Sequence, residues 1–292
     1  MEELERCLLC NSTRLETFDL SHFRGALVTN QICKECGLVF QSPRLTAQSL
    51  DTYYRDSYAF THQGAEVVSE EQLLIQTARA ENLVRLARIS GLSPDDHLDI
   101  GCSTGRLMQA VTKAFGSESW GVEPSELYRN FCIHDGLNVE PSLETLSESR
   151  REPFALVTMA HVLEHLPEPI AFLSDLRDRW LDEDGKLLVE VPNLFFHRSF
   201  ELPHLTSFHR GTLTDILQQS GYQVEWLRKH GRPRHRRIPL YLTALARPNR
   251  DMEVPPPIQS KSFGVGARRK LGRAIYENAP RVMVLMRRLR GI

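Results

Sequence analysis

Leu98-Asp99-Ile100-Gly101-Cys102-Ser103-Thr104-Gly105 decides the reading of this 292-residue chain. An apolar run, an acid and a glycine-bearing turn predict a buried strand that feeds directly into a helix, here Arg106 to Phe115. A second strand is expected over residues 119–122, ending at Glu123. Strand, tight turn, helix, strand and terminal acid describe one nucleoside-binding half of a doubly wound α/β fold. Gly101 allows close backbone approach to a ligand, and Gly105 lets the helix pack on the strand. Glu123 is placed to accept hydrogen bonds from two ribose hydroxyls. The dinucleotide pattern G-x-G-x-x-G is not met, because Ser103 stands where its second glycine would be.

The spacing Asp99-x-Gly101-x-x-x-Gly105 resembles motif I of the class I S-adenosylmethionine (SAM) methyltransferases. That resemblance implies that the turn faces the amino-acid end of SAM, with Asp99, Gly101, Gly105 and Glu123 holding it and Cys102 contributing its backbone. Ser142 and Leu143 fall where relatives contact adenine. Further along, a strand-length apolar run at 154–159 leads into His161-Val162-Leu163-Glu164-His165-Leu166-Pro167-Glu168-Pro169. A helix over 170–181, a turn at Asp184-Gly185 and a strand over 186–191 ending at Pro192-Asn193 complete the pattern. This region is similar to one shared by ubiquinone-biosynthesis O-methyltransferases and many sugar methyltransferases, and the likeness covers residues 95–248. It implies a Rossmann-like, seven-stranded α/β sheet over residues 93–250, closed by an antiparallel hairpin with strands at 222–227 and 238–246.

His161-x-x-Glu164-His165 also fits the H-x-x-E-H pattern of zinc peptidases. Those place the motif inside a long helix, which Pro167 and Pro169 forbid here. In the methyltransferase reading the segment lies at a strand tip beside the methyl donor. His161 and His165 are then candidates to face the substrate, with packing or loop anchoring as the alternative.

Cys7-x-x-Cys10 and Cys33-x-x-Cys36 form two matched knuckles, the spacing of a closed tetrahedral zinc ribbon over residues 1–45. Disulfides fit poorly because nothing marks the chain as secreted, and a redox motif would not come as a matched pair. Four cysteine ligands leave no open position, so the zinc is read as structural. A ribbon joined to such a core resembles the nucleotide-sugar C-methyltransferases. Tyr53, Tyr54 and Tyr58, in a linker-and-helix segment over 46–92, are candidates to cover the SAM or substrate pocket, or simply to pack.

Relatives carry a histidine in the loop before the next helix, and His204 matches it. It is the first candidate base, followed by His165 and His161. Sugar C-methyltransferases precede that histidine with a glutamate. Here Pro203 occupies the position and Glu201 lies nearby, so O-methylation fits at least as well.

The net charge of -1 argues against a nucleic-acid binder by charge alone. Met1-Glu2-Glu3-Leu4-Glu5 does not read as a signal peptide, no run is long enough to span a membrane, and free cysteines suit a reducing cytoplasm. Residues 251–292 read as a Pro-rich linker and a basic amphipathic tail. Such a tail can touch an anionic membrane surface, a partner or nucleic acid, or stay solvated or docked on its own chain. The expected activity is SAM-dependent methylation of a sugar or similar polar acceptor, such as a nucleotide sugar or lipid-linked glycan precursor. A nucleic-acid methyltransferase and a non-catalytic interaction protein are the alternatives.

Overall fold

The computed structural model describes residues 1–53, 68–150, 152–197 and 200–279. Tyr54 and Tyr58 lie outside the described residues, as does the basic stretch 280–292, and Tyr53 is half-buried.

The main sheet is seven-stranded. In chain order its strands are β4 (Asp96–Ile100), β5 (Glu118–Val122), β6 (Asn138–Glu140), β7 (Phe154–Ala160), β8 (Leu181–Pro192), β10 (Tyr222–His230) and β11 (Tyr241–Pro248). They are arranged β10-β11-β8-β7-β4-β5-β6. β4 to β8 run parallel, and β11 inserts antiparallel between β8 and β10. The central strands are buried on both faces, which is why they read as continuous apolar runs. The parallel run brings the carboxyl ends of β4, β5, β7 and β8 to one edge, where doubly wound sheets bind ligands.

Helices flank the sheet: α1 (Ala47–Thr52), α2 (Glu70–Ile89), α3 (Arg106–Phe115), α4 (Glu126–His134), α5 (Leu143–Ser149), α6 (Pro169–Arg179), α7 (Arg210–Gln219) and α8 (Val265–Asn278). Local chemistry sets several starts. Ser69 caps α2 by accepting from the Gln72 N–H, and Pro169 occupies the first turn of α6, where its missing N–H costs nothing. α6 ends at Arg179, two residues short of the expected boundary, and Leu181 already pairs with Phe154 in β8. The expected turn at Asp184-Gly185 is an irregularity inside β8: Leu181 opposes Phe154, yet Lys186 opposes Leu156.

A second sheet has the order β1-β2-β3-β9, from β1 (Leu15–Phe23), β2 (Ala26–Cys33), β3 (Val39–Gln41) and β9 (Thr206–Ser207). β9 comes from the loop between β8 and α7, so the N-terminal segment shares a sheet with the methyltransferase-like part. Their cores are also continuous: Cys7, Cys33, Leu38 and Phe40 belong to the same buried cluster as Leu98, Val157, Met159 and Val189. Arg44, 2% exposed, reinforces the junction by donating to the Pro167 carbonyl at 2.8 Å and pairing with Glu2 at 2.7 Å. α8 packs back on the chain through Val265, Arg269 and Gly272; Arg269 donates to the Leu194 and His197 carbonyls. That arginine of the basic tail is therefore a docking group within the chain. Among the described residues no helix is long and apolar enough to cross a membrane.

Candidate active site

At the carboxyl edge of the sheet lies a pocket of about 440 Å³, within the usual range for small-molecule sites. Its floor is the β4–α3 turn. Gly101, Ser103 and Gly105 all have positive φ, at +68°, +49° and +68°. The Gly101 and Cys102 N–H groups both donate to the Val122 carbonyl, tying the turn to the neighbouring strand. A Cβ on Gly101 would sit 2.6 Å from Val162 Cγ2, and one on Gly105 would sit 2.2 Å from Leu137 Cδ1. Asp99, Gly101 and Cys102 line the pocket; Gly105 serves packing beneath it. Ser142 caps α5, which Leu143 begins, and neither is among the residues walling the pocket.

Two buried carboxylates face this space. Asp99 accepts from Thr158 Oγ1 at 2.6 Å, and burial pushes its carboxyl up to about 7 against that bond. Thr158 spends its proton on Asp99, so it accepts from His97 Nε2–H at 2.8 Å. Burial lowers His97 to about 3 and keeps the ring neutral. Glu123 is raised to about 7 by burial, opposed by two backbone donors. Its Oε2 accepts from Ser103 N–H and its Oε1 from Ser125 N–H, each at 2.8 Å. Each oxygen keeps a second lone pair, so this acid both fastens two loops and remains able to receive a diol.

α2 closes the pocket from above, which its amphipathic pattern alone did not reveal. Gln76 Nε2 donates to Ser103 Oγ at 3.0 Å, and Gln76 Oε1 accepts from Thr104 Oγ1. One turn on, Arg79 enters the pocket. The signal was present: Gln76 and Arg79 are polar residues on the same helix face as Ala80 and Leu83.

The far end of the pocket holds His161, His165 and Arg79 against a buried acid network. Glu190, fully buried near the end of β8, meets Arg79 Nε at 3.1 Å, His161 Nε2 at 3.3 Å and His230 Nε2 at 3.1 Å, and accepts from Thr243 Oγ1 at 3.1 Å. Burial opposes its ionisation, but His161, His230 and Arg79 outweigh burial and hold it far below the usual carboxylate range. Glu164 is balanced the same way, burial being overcome by His161 and His165. His161 Nδ1 lies 3.4 Å from Glu164, so the ring stands between two carboxylates. Its backbone φ is +62°, a conformation that costs a non-glycine residue energy and clusters at functional sites. Glu190 went unremarked in the sequence, although a lone acid in the apolar run 186–191 was its signal.

His204 does not wall this pocket. It lines a small second cavity with Glu164 and His197, and its ring centroid is 4.7 Å from that of His165. Gln41 of β3 fixes its loop by donating to the Glu201 and His204 carbonyls, each at 2.7 Å.

The four cysteines of the N-terminal segment converge. All sulfurs of Cys7, Cys10, Cys33 and Cys36 lie within 4.8 Å of one another, with the closest pairs at 3.5 and 3.4 Å. Tetrahedral zinc with thiolates at about 2.3 Å implies sulfurs about 3.8 Å apart, so the donor set fits that ion.

Comparison with known proteins agrees with this geometry. The profile described as "Methyltransferase domain" matches residues 74–227. The ubiquinone biosynthesis O-methyltransferase of Haemophilus ducreyi is 29% identical over 117 residues, covering 36% of this chain and 49% of that protein. The enzyme of the same name from Methylococcus capsulatus is 31% identical over 110 residues, covering 34% and 46%. The chain thus spans about half the length of the curated relatives it matches. In fold it is similar to the Burkholderia thailandensis 1,6-didemethyltoxoflavin-N1-methyltransferase, solved with S-adenosylhomocysteine, at TM-score 0.55 and 15% identity over 79% of this chain and 99% of that one. Motif turn, strand order and profile match converge: the chain belongs to the methyltransferase-domain family, on the class I SAM-dependent methyltransferase fold.

Proposed function

We propose that this chain transfers a methyl group from SAM to a hydroxyl of a sugar or similarly polar small molecule. The observation that carries the reading is the buried Glu123, held at the tip of β5 by both flanking loops and open to the pocket. Glu123 would take the ribose hydroxyls, while Asp99 and the Gly101–Cys102 backbone would hold the amino-acid end. Bound SAM supplies an electrophilic methyl group; an acceptor C–O–CH3 bond forms as the S–CH3 bond breaks, leaving S-adenosylhomocysteine and one proton.

The chain's own task is to align the acceptor and take that proton. His161 is the favoured base: it lines the pocket, and a proton gained there lies between Glu164 and Glu190. His165 is the second candidate; His204 stands behind it. Arg79, His161 and His165 gather a second set of polar groups at the far end of the pocket from Asp99 and Glu123, which supports a hydroxylated acceptor. We infer also that Cys7, Cys10, Cys33 and Cys36 hold a structural zinc ion. A lipid-linked precursor remains a sensible acceptor to try, because α8 exposes Leu271 and Ile275 beside Lys270 and Arg273.

The test is S-adenosylhomocysteine release from full-length protein offered nucleotide sugars, a lipid-linked glycan precursor, catechols and RNA. Turnover on a hydroxylated small molecule, abolished in His161→Ala, is expected. Methylation of RNA alone would sink the proposal.

A further inference from the structure

α8 has a second face besides the one that docks on the chain. Val265, Arg269 and Gly272 bury one side of the helix. At 3.6 residues per turn, Ala267, Leu271, Ala274, Ile275 and Asn278 share the opposite side, and all are exposed. Leu271 is 63% and Ile275 47% exposed, and Phe263, 90% exposed, stands just before the helix. Arg268 borders this outer stripe on one side, and Lys270 and Arg273 border it on the other; these three are exposed as well. The 14-residue helix is about 21 Å long. Its outer face is therefore an apolar stripe between two basic margins.

The positive charge continues beyond the helix. Tyr276 and Ala279, at its carboxyl end, pack against the cluster of Ile238, Leu240 and Tyr241, which places α8 beside the loop that precedes Ile238. Residues 228–237 hold six lysines or arginines and no acid, and Arg232, Arg234, Arg236 and Arg237 are exposed. From Lys261 to Ile292 the sequence holds nine lysines or arginines against one acid, Glu277. A chain whose net charge is -1 thus concentrates cations on two adjoining elements.

Charge decides what this face can meet. A second copy of the chain would bring the same cations to it. Residues 280–292 hold four arginines and no acid, so they too would bring like charge. RNA would satisfy the basic margins and leave Leu271 and Ile275 facing water. An anionic bilayer satisfies both, because headgroups meet the arginines and lysines while the acyl boundary takes the aliphatic side chains. We propose that α8 and the 231–237 loop form a docking surface for an anionic lipid bilayer, with α8 lying in the interface plane and its Leu271–Ile275 side toward the acyl chains. Arg269, bonded to the Leu194 and His197 carbonyls, ties the helix to the chain and so fixes how the docked protein is oriented. Tyr241 of the adjoining cluster packs edge-on against His161, with ring centroids 5.2 Å apart. Docking would hold the acceptor end of the pocket near the bilayer; that consequence rests on the methyl-transfer reading, whereas lipid binding does not.

The experiment is co-sedimentation of full-length, zinc-loaded protein with phosphatidylcholine vesicles made with and without phosphatidylglycerol, at low and high salt. The expected result is binding to the anionic vesicles, weaker by about tenfold or more on neutral lipid and reduced by salt. Leu271→Ser with Ile275→Ser, and Arg236→Gln with Arg237→Gln, should each weaken it by about tenfold or more. All four side chains are exposed, and thermal unfolding serves as the fold control. No binding of folded wild type to anionic vesicles would overturn the proposal. Undiminished binding by both paired variants would overturn it too, by moving the contact to residues 280–292. Tighter binding to single-stranded RNA than to anionic vesicles, unchanged in Leu271→Ser with Ile275→Ser, would overturn it in favour of a nucleic-acid face. Vesicle binding by folded protein that does not bind SAM would support the docking and count against the methyl-transfer reading alone.

Discussion

Glu190→Gln is the most informative single perturbation of the buried network. The change is isosteric, so no cavity forms, but it removes the only carboxylate within ion-pair distance of the Arg79 guanidinium among the described residues. Arg79's side chain is 16% exposed and Glu190's fully buried. Breaking such a pair strands a charge and costs about 3–5 kcal/mol. The amide oxygen can still accept from Thr243, which places the expected loss near the lower bound, about 3 kcal/mol. Urea unfolding at pH 7.5 reads it directly. Arg79→Met with Glu190→Gln should recover most of the loss, because the stranded charge is gone. The pH dependence has a fixed sign. A carboxyl held below its ordinary value contributes stability above about pH 4.5, the value of an unperturbed glutamate, and loses it as the pH falls further. The gap between wild type and Glu190→Gln should therefore hold from pH 8 to 5 and shrink below that. A loss under 1 kcal/mol, or strictly additive single and double variants, would refute the reasoning.

Other consequences follow from single residues. His209 caps α7 through Nδ1, which accepts from the Gly211 and Thr212 N–H groups, and burial lowers it from 6.5 to about 4. The folded state takes up fewer protons in that window, so stability falls as pH drops through it, by about 3 kcal/mol for this group. His209→Asn keeps a capping oxygen and should lose less stability between pH 7 and 4 in urea titrations; equal losses would contradict the assignment. Gly105→Ala meets both φ +68° and a 2.2 Å approach to Leu137, and should cost about 2–5 kcal/mol in thermal unfolding. Chelation of the cysteine site should speed hydrogen exchange at residues 200–207 as well as 1–45, because β3 pairs with β9 and Gln41 holds the His204 loop. Exchange changes confined to 1–45 would show that the ribbon does not support that loop.

Much of this arrangement was legible because it is local. The turn around Gly101 and Gly105 announces itself through residues whose backbone conformations few others tolerate, and Pro167 and Pro169 end any helix through His161–His165 as expected. The two knuckles were legible from spacing, and the structure brings their sulfurs together. What escaped depends on contacts distant in sequence. Periodicity shows that α2 has an apolar face, but not that Gln76 would reach a turn formed about 27 residues later, or that Arg79 would meet Glu190 of β8. The β3–β9 pairing joins residues 39–40 to 206–207, and a two-residue strand carries no periodic signal. His204 was matched by motif position, whereas its distance from the pocket follows from His165 standing in front of it. Asp184-Gly185 has turn chemistry, yet the sheet absorbs it as a register slip beside Phe154.

The most direct test of the central claim is calorimetric titration of SAM into zinc-loaded full-length protein, alongside Glu123→Ala. Two hydrogen bonds from ribose hydroxyls to a buried carboxylate are worth about 1.5–3 kcal/mol each. At about 1.4 kcal/mol per decade, their loss should weaken binding by about 100-fold or more. The account predicts micromolar binding by the wild type and none measurable in the variant. Folded, zinc-loaded wild type that does not bind SAM, or a variant that binds it equally well, would contradict it.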